Sequence, residues 1–508
     1  MDNNQRKSGA ILSYISIFLS TLVQLLYTPL LIRMMGQSEY GLYSLVSSVI
    51  GYISVLDLGF GNAIVVYTSK YREQGKYNEE KKLLGMFKII FIILGIIAGI
   101  MGILLYFLSP NMFGNTMNSR ELYKIKVMML ILAFNLFITF AFNIYSAIIT
   151  SYEKFVFQKT LAILNTLLKP LIMVPLLFLG FKSITMSVVI TVVNIAICIS
   201  NYTYCKKRLN IKIKYNGFDK KIFKIIFGYS IFIFLGNIVD KVNWSVDQFI
   251  LGVVCGTTAV SVYSVSSSIT ILFINLSTAI SNVFLPKISK MTAKEIDKTK
   301  LTNEMIKVGR LQNYVIFLAV TGLILFGKEF IIWWVGKEYI KSYYITLILV
   351  IPVCFPLIQN LGLSIMQALN KYKFKSISTF VMSIINTIIS FFLAKEYGPI
   401  GAAIGTAGAL ILCNIIIINI YYAKVIKLNI IRFWKEIIKQ SVPLLIPIII
   451  ILLIINITSI TGIISVLIYG TIYVILYSIT AYYISMNNYE KEIVQSLLNK
   501  VGIKICKN

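Results

Sequence analysis

Six ionisable side chains lie inside or at the ends of long apolar runs: Arg33, Asp57, Lys169, Asp240, Lys241 and Asp247. A charge at the centre of a bilayer opposes insertion by about 2.5–3.5 kcal/mol on translocon scales, so each needs a partner or a water-filled cavity. Asp57 belongs to SVLDLGFGNAI (54–64), within an otherwise uncharged run from Tyr40 to Ser69. Two chemistries suit it. It caps a helix break made by Gly59 and Gly61 or pairs with a basic residue, or it lines a cavity and there contacts sugar hydroxyls or exchanges a cation. Lys169, in TLLKPLIMVP, precedes Pro170. A mid-helix proline frees a carbonyl and bends the span, which can open a polar pocket. Its ammonium suits an anionic head group, or an ion pair with Asp57 or Asp240. Asp240 and Asp247 are seven residues apart and share one helical face, with Lys241 about 100° around the helix. Asp247 lies near the outer end of its run, where a solvated interface charge is the alternative to a cavity role, and Arg33 near the outer end of the first run.

Other chemistry is excluded by what the chain lacks. It has no histidine, so histidine-based zinc sites, general bases and pH switches are ruled out. Its six cysteines, Cys198, Cys205, Cys255, Cys354, Cys413 and Cys506, show no ligand spacing and no disulfide framework. No nucleophile has a base beside it and no glycine-rich phosphate loop occurs. The expectation is a protein that is not an enzyme and has no cofactor or metal. Energy for any transport would come from an ion gradient, the membrane potential or removal of product.

The elements that must position these residues follow from hydropathy. Of 508 residues, 57% are hydrophobic and only 13% charged, and mean hydropathy is +0.82. Apolar runs of about 20 residues recur almost without pause, each long enough to cross a hydrocarbon core of about 30 Å as a helix. Continuous rather than alternating apolar runs argue for helices over a barrel. An all-α polytopic membrane protein is expected, with fourteen spans beginning near residues 11, 40, 85, 122, 157, 183, 222, 257, 305, 341, 374, 400, 437 and 461.

The net charge of +28 invites a nucleic-acid reading, and its distribution argues against one. Placing the N-terminus in the cytoplasm puts 37 of the 48 Lys and Arg on inward segments and nine on outward ones, as the positive-inside rule requires. Both termini are then cytoplasmic, the localisation is the cell membrane, and the basic surplus favours anionic membrane lipids of the inner leaflet. No module remains to bind nucleic acid.

The chain also repeats itself. Shifted by 220 residues, 36–70 lies on 256–290 with nine identities, among them Gly36/Gly256, Tyr43/Tyr263, Asn62/Asn282 and Lys70/Lys290. YEKF (152–155) and Asn165-Thr166 find partners in KYKF (371–374) and Asn386-Thr387. In that register Lys169 faces Ser390, so the charge breaks the pseudo-symmetry. An offset of six helices gives a parallel repeat, the arrangement of rocking transporters, whose halves enclose a central cavity. The expected domains are an N-lobe of six helices (1–210), a C-lobe of six (211–430), two further helices (431–486) and a cytoplasmic tail (487–508) lying on the inner leaflet. Trp333 and Trp334 suit an interfacial belt.

LLIRMMGQSEYGLYSLVSSVIGYISVLDLGFGNAI resembles the first two helices of bacterial polysaccharide-biosynthesis flippases, the O-antigen and capsule repeat-unit exporters. Their superfamily also holds lipid II flippases and multidrug and toxic-compound extrusion transporters. DQFILGVVCGTTAVSVYSV is similar to the family's seventh and eighth helices, with Asp247, Gly252, Gly256 and Tyr263 on recurring positions; WWVGKEY and YGPIGAAIG are similar to later signatures. The resemblance covers nearly the whole chain. It implies two six-helix lobes, alternating access and an undecaprenyl-diphosphate-linked oligosaccharide carried from the inner to the outer leaflet, with polysaccharide polymerase machinery as a partner. Lys169, backed by Lys241 and Arg33, would meet the diphosphate. The alternatives of the same fold are a lipid II-type peptidoglycan precursor flippase and a cation-coupled multidrug exporter.

Overall fold

The computed structural model describes residues 3–211, 213, 215, 217–292, 297–369, 371–458 and 462–500. The described chain is helical, with no strand among these residues. Its helices are α1 (Asn3–Met35), α2 (Gln37–Ile53), α3 (Phe60–Glu73), α4 (Tyr77–Phe113), α5 (Ser119–Ser151), α6 (Phe155–Phe178), α7 (Ser183–Lys207), α8 (Lys220–Val254) and α9 (Thr257–Thr292). There follow α10 (Lys298–Val335), α11 (Ile340–Ile358), α12 (Asn360–Ala368), α13 (Tyr372–Leu410), α14 (Ile418–Tyr421), α15 (Ile430–Ser441), α16 (Leu445–Thr458), α17 (Gly462–Thr480) and α18 (Asn488–Lys500).

Among the described residues, eleven helices are long and apolar enough to cross a membrane, or twelve when α15 and α16, bent by 40° at their junction, count as one span. The run Tyr372–Ile426 counts once in that figure although it holds 55 residues. At 1.5 Å per residue it would reach about 80 Å, more than twice the hydrocarbon thickness. It is interrupted at Gly398, whose φ of 60° and ψ of −139° are non-helical and precede Pro399.

The chain divides into two compact units, Met1–Ser264 with Ser390–Ala402, and Val265–Ile389 with Ala403–Asn508. The first holds α1–α8. Its largest described core gathers Phe60, Phe87, Phe91, Ile144 and Ile148 from α3, α4 and α5, with Ile226 of α8 among them. α5 begins at a capping box, in which the Asn118 side chain accepts from the Glu121 amide and the Glu121 side chain accepts from the Asn118 amide, satisfying two donors a helix start leaves open.

In the second unit Tyr314, Leu444, Ile451 and Tyr473 join α10, α16 and α17 in one core. The tail is expected on the membrane surface, yet one side chain of its first turn is buried in the protein. Glu490 of α18 is 1% exposed and is held by Arg310 of α10, Nε to Oε1 at 2.6 Å and Nη2 to Oε2 at 2.9 Å. Tyr314 donates to the same carboxylate at 3.1 Å.

The repeat is legible in the backbone. Gly36 and Gly256 share a left-handed φ, 86° and 83°, each immediately before a helix, a conformation that glycine adopts without steric cost. Phe157 stacks on Tyr204 at 3.9 Å and Phe374 on Tyr421 at 4.1 Å, both partners displaced by 217 residues. α6 and α13 also start 217 residues apart. This register pairs Lys169 with Asn386, one helical turn from the Ser390 that the Asn165/Asn386 match gives. Asn386 is buried and donates to Thr406 at 3.1 Å, so the charge remains peculiar to the first copy.

Candidate functional site

The first repeat copy carries a break that the second lacks. After α2 the chain makes one tight 3₁₀ turn, Ser54–Asp57, and both Leu58 (φ 53°) and Gly59 (φ 70°) take left-handed conformations before α3 begins. Such a conformation is costly for leucine, and strain of this kind gathers at functional sites. At the 220-residue offset the counterpart of Asp57 is Ser277, which lies within the uninterrupted α9 and donates to Leu357 O at 2.9 Å.

Asp57 is half-buried at this break. Its Oδ1 accepts from Asn143 Nδ2 of α5 at 2.8 Å, and the Gly61 amide is a second donor to the carboxylate. The carboxylate is thus held at the break by the Gly61 amide and to α5 by Asn143. Asn143 was not among the expected site residues. As an asparagine inside an apolar run of α5 it carried a signal only in its amide, which must find a partner where water is absent.

Six residues before Asp57, α2 meets α8. Ser48 Oγ donates to Ser245 O at 2.8 Å, and the Lys241 ammonium lies 3.5 Å from the place a Cβ would occupy on Gly51. Ser48, Gly51 and Tyr52 share one helical face by their i, i+3 and i+4 spacing. A Cβ at 51 would be in ordinary contact with the lysine head, so the two helices meet closely here. The Tyr52 hydroxyl is buried without a hydrogen-bond partner among the described residues.

Asp247 is not a solvated interface charge: it is 2% exposed and accepts from the Tyr263 hydroxyl. Arg33, in the last turn of α1, is exposed. The side chain of Asp240 lies outside the described residues. Lys169 is half-buried on α6, which also carries Pro170 and Pro175. Its ammonium has no hydrogen-bond or ion-pair partner among the described residues, so the alternative reading, an ion pair with Asp57, is not observed. The first unit thus holds Asp57, Lys169, Lys241 and Asp247, and of these it brings Lys241 and Asp57 to neighbouring turns of the broken second span.

A second set of charges escaped the sequence reading because it sits at helix ends. Glu39 is buried and accepts from Lys124 and Ser183. Glu121 accepts from Ser38 and Thr257. Beside them the Gly41 backbone runs so close to Thr257 that any Cβ would overlap the Thr257 carbonyl oxygen. Thr116 Oγ1 donates to Gly252 O at 2.9 Å. The turn between α8 and α9 is thereby knit to the ends of α2, α4 and α5. No group of His, Cys, Asp and Glu able to hold a metal occurs among the described residues.

Comparison with known proteins places this architecture. A Shigella flexneri protein described as an O-antigen transporter is 23% identical over 391 residues, 76% of this chain and 90% of its own length. The capsular polysaccharide biosynthesis protein CapF of Staphylococcus aureus is 29% identical over 207 residues, 40% of this chain and 50% of its own. Among solved structures, the lipid II flippase MurJ in an inward closed conformation superposes with a TM-score of 0.73 at 18% identity, covering 96% of this chain and 99% of its own. An inward-facing multidrug resistance transporter of the MATE family gives 0.62 at 14%, covering 79% and 92%. These two likenesses concern the fold. The model of the polysaccharide biosynthesis protein family matches residues 30–344, and the chain belongs to that family.

Proposed function

We propose that the protein is a flippase that moves undecaprenyl-diphosphate-linked oligosaccharide repeat units from the inner to the outer leaflet of the cytoplasmic membrane by alternating access. A diphosphate and its sugars cannot cross hydrocarbon unaided. A polar chamber opening to each side in turn replaces their hydration, while the polyprenyl tail stays in lipid. The observation that carries the reading is the Lys169 ammonium, half-buried in a proline-bearing helix with no counter-charge among the described residues. A lone ammonium at membrane depth costs about 2.5–3.5 kcal/mol, which an anionic head group offsets on binding. Lys241 beside Gly51 adds a second cation, and the broken span at Asp57 supplies hydrogen-bonding groups. The O-antigen transporter relative, aligned over most of both chains, supports the same cargo.

The supporting architecture is fourteen spans: the eleven long apolar helices, with Tyr372–Ile426 split at Gly398, α15 and α16 joined as one crossing, and the 35 residues of α8 as another. They form lobes 1–210 and 211–430, a helix pair 431–486 and a cytoplasmic tail 487–508, with both termini inside. The chain performs no catalysis, and an ion gradient or the membrane potential drives it. The polymerase that consumes the exported unit is the natural partner.

A second reading, a lipid II-type peptidoglycan precursor flippase, is favoured by the fold likeness to MurJ, and the MATE likeness keeps a cation-coupled drug exporter as a third. The test is reconstitution of the purified protein in liposomes with a lipid-linked oligosaccharide, lipid II or a cationic dye. Leaflet transfer of the oligosaccharide alone supports the proposal; transfer only of either other cargo overturns it.

A further inference from the structure

Unit one has a pocket of about 600 Å³ at the start of α4, on the end that the basic segment 70–88 assigns to the cytoplasm. Tyr77, Asn78, Glu80 and Lys81 enter it from α4, Tyr152 from the turn after α5, and Asn210 from the stretch after α7. Its size falls within the roughly 300–1,000 Å³ of small-ligand sites. The other large pockets described are lined almost entirely by aliphatic and aromatic residues of spanning helices, as lipid-facing grooves are.

Glu80 is the informative residue. It is 4% exposed, and among the described residues its side chain receives one hydrogen bond, from the Tyr152 hydroxyl at 3.1 Å. A carboxylate offers about four acceptor sites, and a buried one left short of donors is expensive. Tyr152 is itself fixed. The Arg72 guanidinium lies 4.0 Å from its ring centre, and Arg72 Nη2 donates to Ser151 O at 2.6 Å. Burial, then the Glu80 charge, pushes the Tyr152 hydroxyl above its ordinary value, so it remains a donor. Asn210 in the lining takes a left-handed conformation (φ 52°), as does Glu153 (φ 54°), the residue after Tyr152.

We infer that this pocket binds sugars: the distal, water-soluble part of the lipid-linked oligosaccharide, engaged on the cytoplasmic side apart from the diphosphate. Sugars present apolar C–H faces, which pack on aromatic rings such as Tyr77 and Tyr152, and dense hydroxyls that need acceptors and donors together. Glu80 accepts, Lys81 donates, and the amides of Asn78 and Asn210 do both. The inference rests on the flippase reading for the identity of the sugar and adds to it a recognition site remote from Lys169.

The test uses the full chain in nanodiscs and, as probe, the oligosaccharide freed by mild acid from the host's own lipid-linked pool. Binding is expected, weakened about tenfold by Tyr77→Ala and by Glu80→Gln, the loss of one aromatic or one charge-assisted contact. Tyr77 is 60% exposed, so its variant keeps the fold, and unchanged melting temperatures certify both proteins. Absence of binding by the wild type, or binding equal in wild type and both variants, overturns the site. Deleting the gene separates the two claims: a normal leaflet distribution of lipid-linked oligosaccharide with pocket-dependent binding retained removes the flippase reading alone, whereas inner-leaflet accumulation with binding untouched by both variants removes the pocket alone.

Discussion

Arg310 grips Glu490 through two nitrogens, at 2.6 and 2.9 Å, where the two side chains are only 8% and 1% exposed. The contact ties the tail helix to α10. Around it Arg310 Nη2 donates to Ser485 O and Gln440 Nε2 to Arg310 O, so one guanidinium and its own backbone unite α10, α15 and α18. Replacing Glu490 with Ala removes two charge-assisted hydrogen bonds and leaves the buried guanidinium with Glu436 at 3.9 Å as its remaining carboxylate, a loss of about 1–3 kcal/mol. The expected outcome is a clearly lowered unfolding temperature in detergent, similar to that of a chain ending at residue 486. An unchanged unfolding temperature would show that the tail is only laid on the surface.

Lys169→Ala should abolish leaflet transfer with expression and melting temperature intact, because the ammonium has no hydrogen bond or ion pair to lose among the described residues. Lys169→Arg, which keeps the charge, should retain measurable transfer. Full transfer by the alanine variant would remove Lys169 from the site.

Asp57 separates capping from cation exchange. Asparagine keeps an acceptor oxygen for the Asn143 amide, so Asp57→Asn should leave transfer within several-fold of wild type. Asp57→Ala strands that amide and should lower stability by about 1–3 kcal/mol. Complete loss of transfer in a stable Asp57→Asn protein would favour an exchanged cation instead.

Gly41 tests the closure at the end of α2. A valine there cannot coexist with the Thr257 carbonyl in its present place, so Gly41→Val should prise the start of α9 from α2. A cysteine at Ser38, whose hydroxyl donates to Glu121, should then react faster with an impermeant thiol reagent. Unchanged reactivity would show that the contact is not a closure.

The helical class, most span positions and the repeat were readable from sequence because lipid imposes one rule on every segment, apolar length. The break at Leu58 and Gly59 was readable from the two glycines, and the place of Asp57 and Lys169 in long apolar helices from their neighbours. What remained hidden depends on partners distant in sequence. Nothing local to Asn143 says that it serves Asp57, and nothing at Glu490 says that Arg310, 180 residues earlier, will bury it. For Lys169 the sequence offers only a short Asn-Thr match, whereas the stacking of Phe157 on Tyr204 and of Phe374 on Tyr421 sets a register one helical turn away. Asp247 looked like a surface charge because hydropathy cannot see the Tyr263 hydroxyl across the turn.

The most direct measurement is the leaflet position of lipid-linked oligosaccharide in cells depleted of this protein, read in spheroplasts by protection from an impermeant oxidant. The account predicts that the oligosaccharide accumulates in protected form and that restoring the wild-type chain, but not Lys169→Ala, exposes it again. Oligosaccharide that is oxidised as fully in depleted cells as in normal ones would contradict it, as would accumulation of a peptidoglycan precursor in its place.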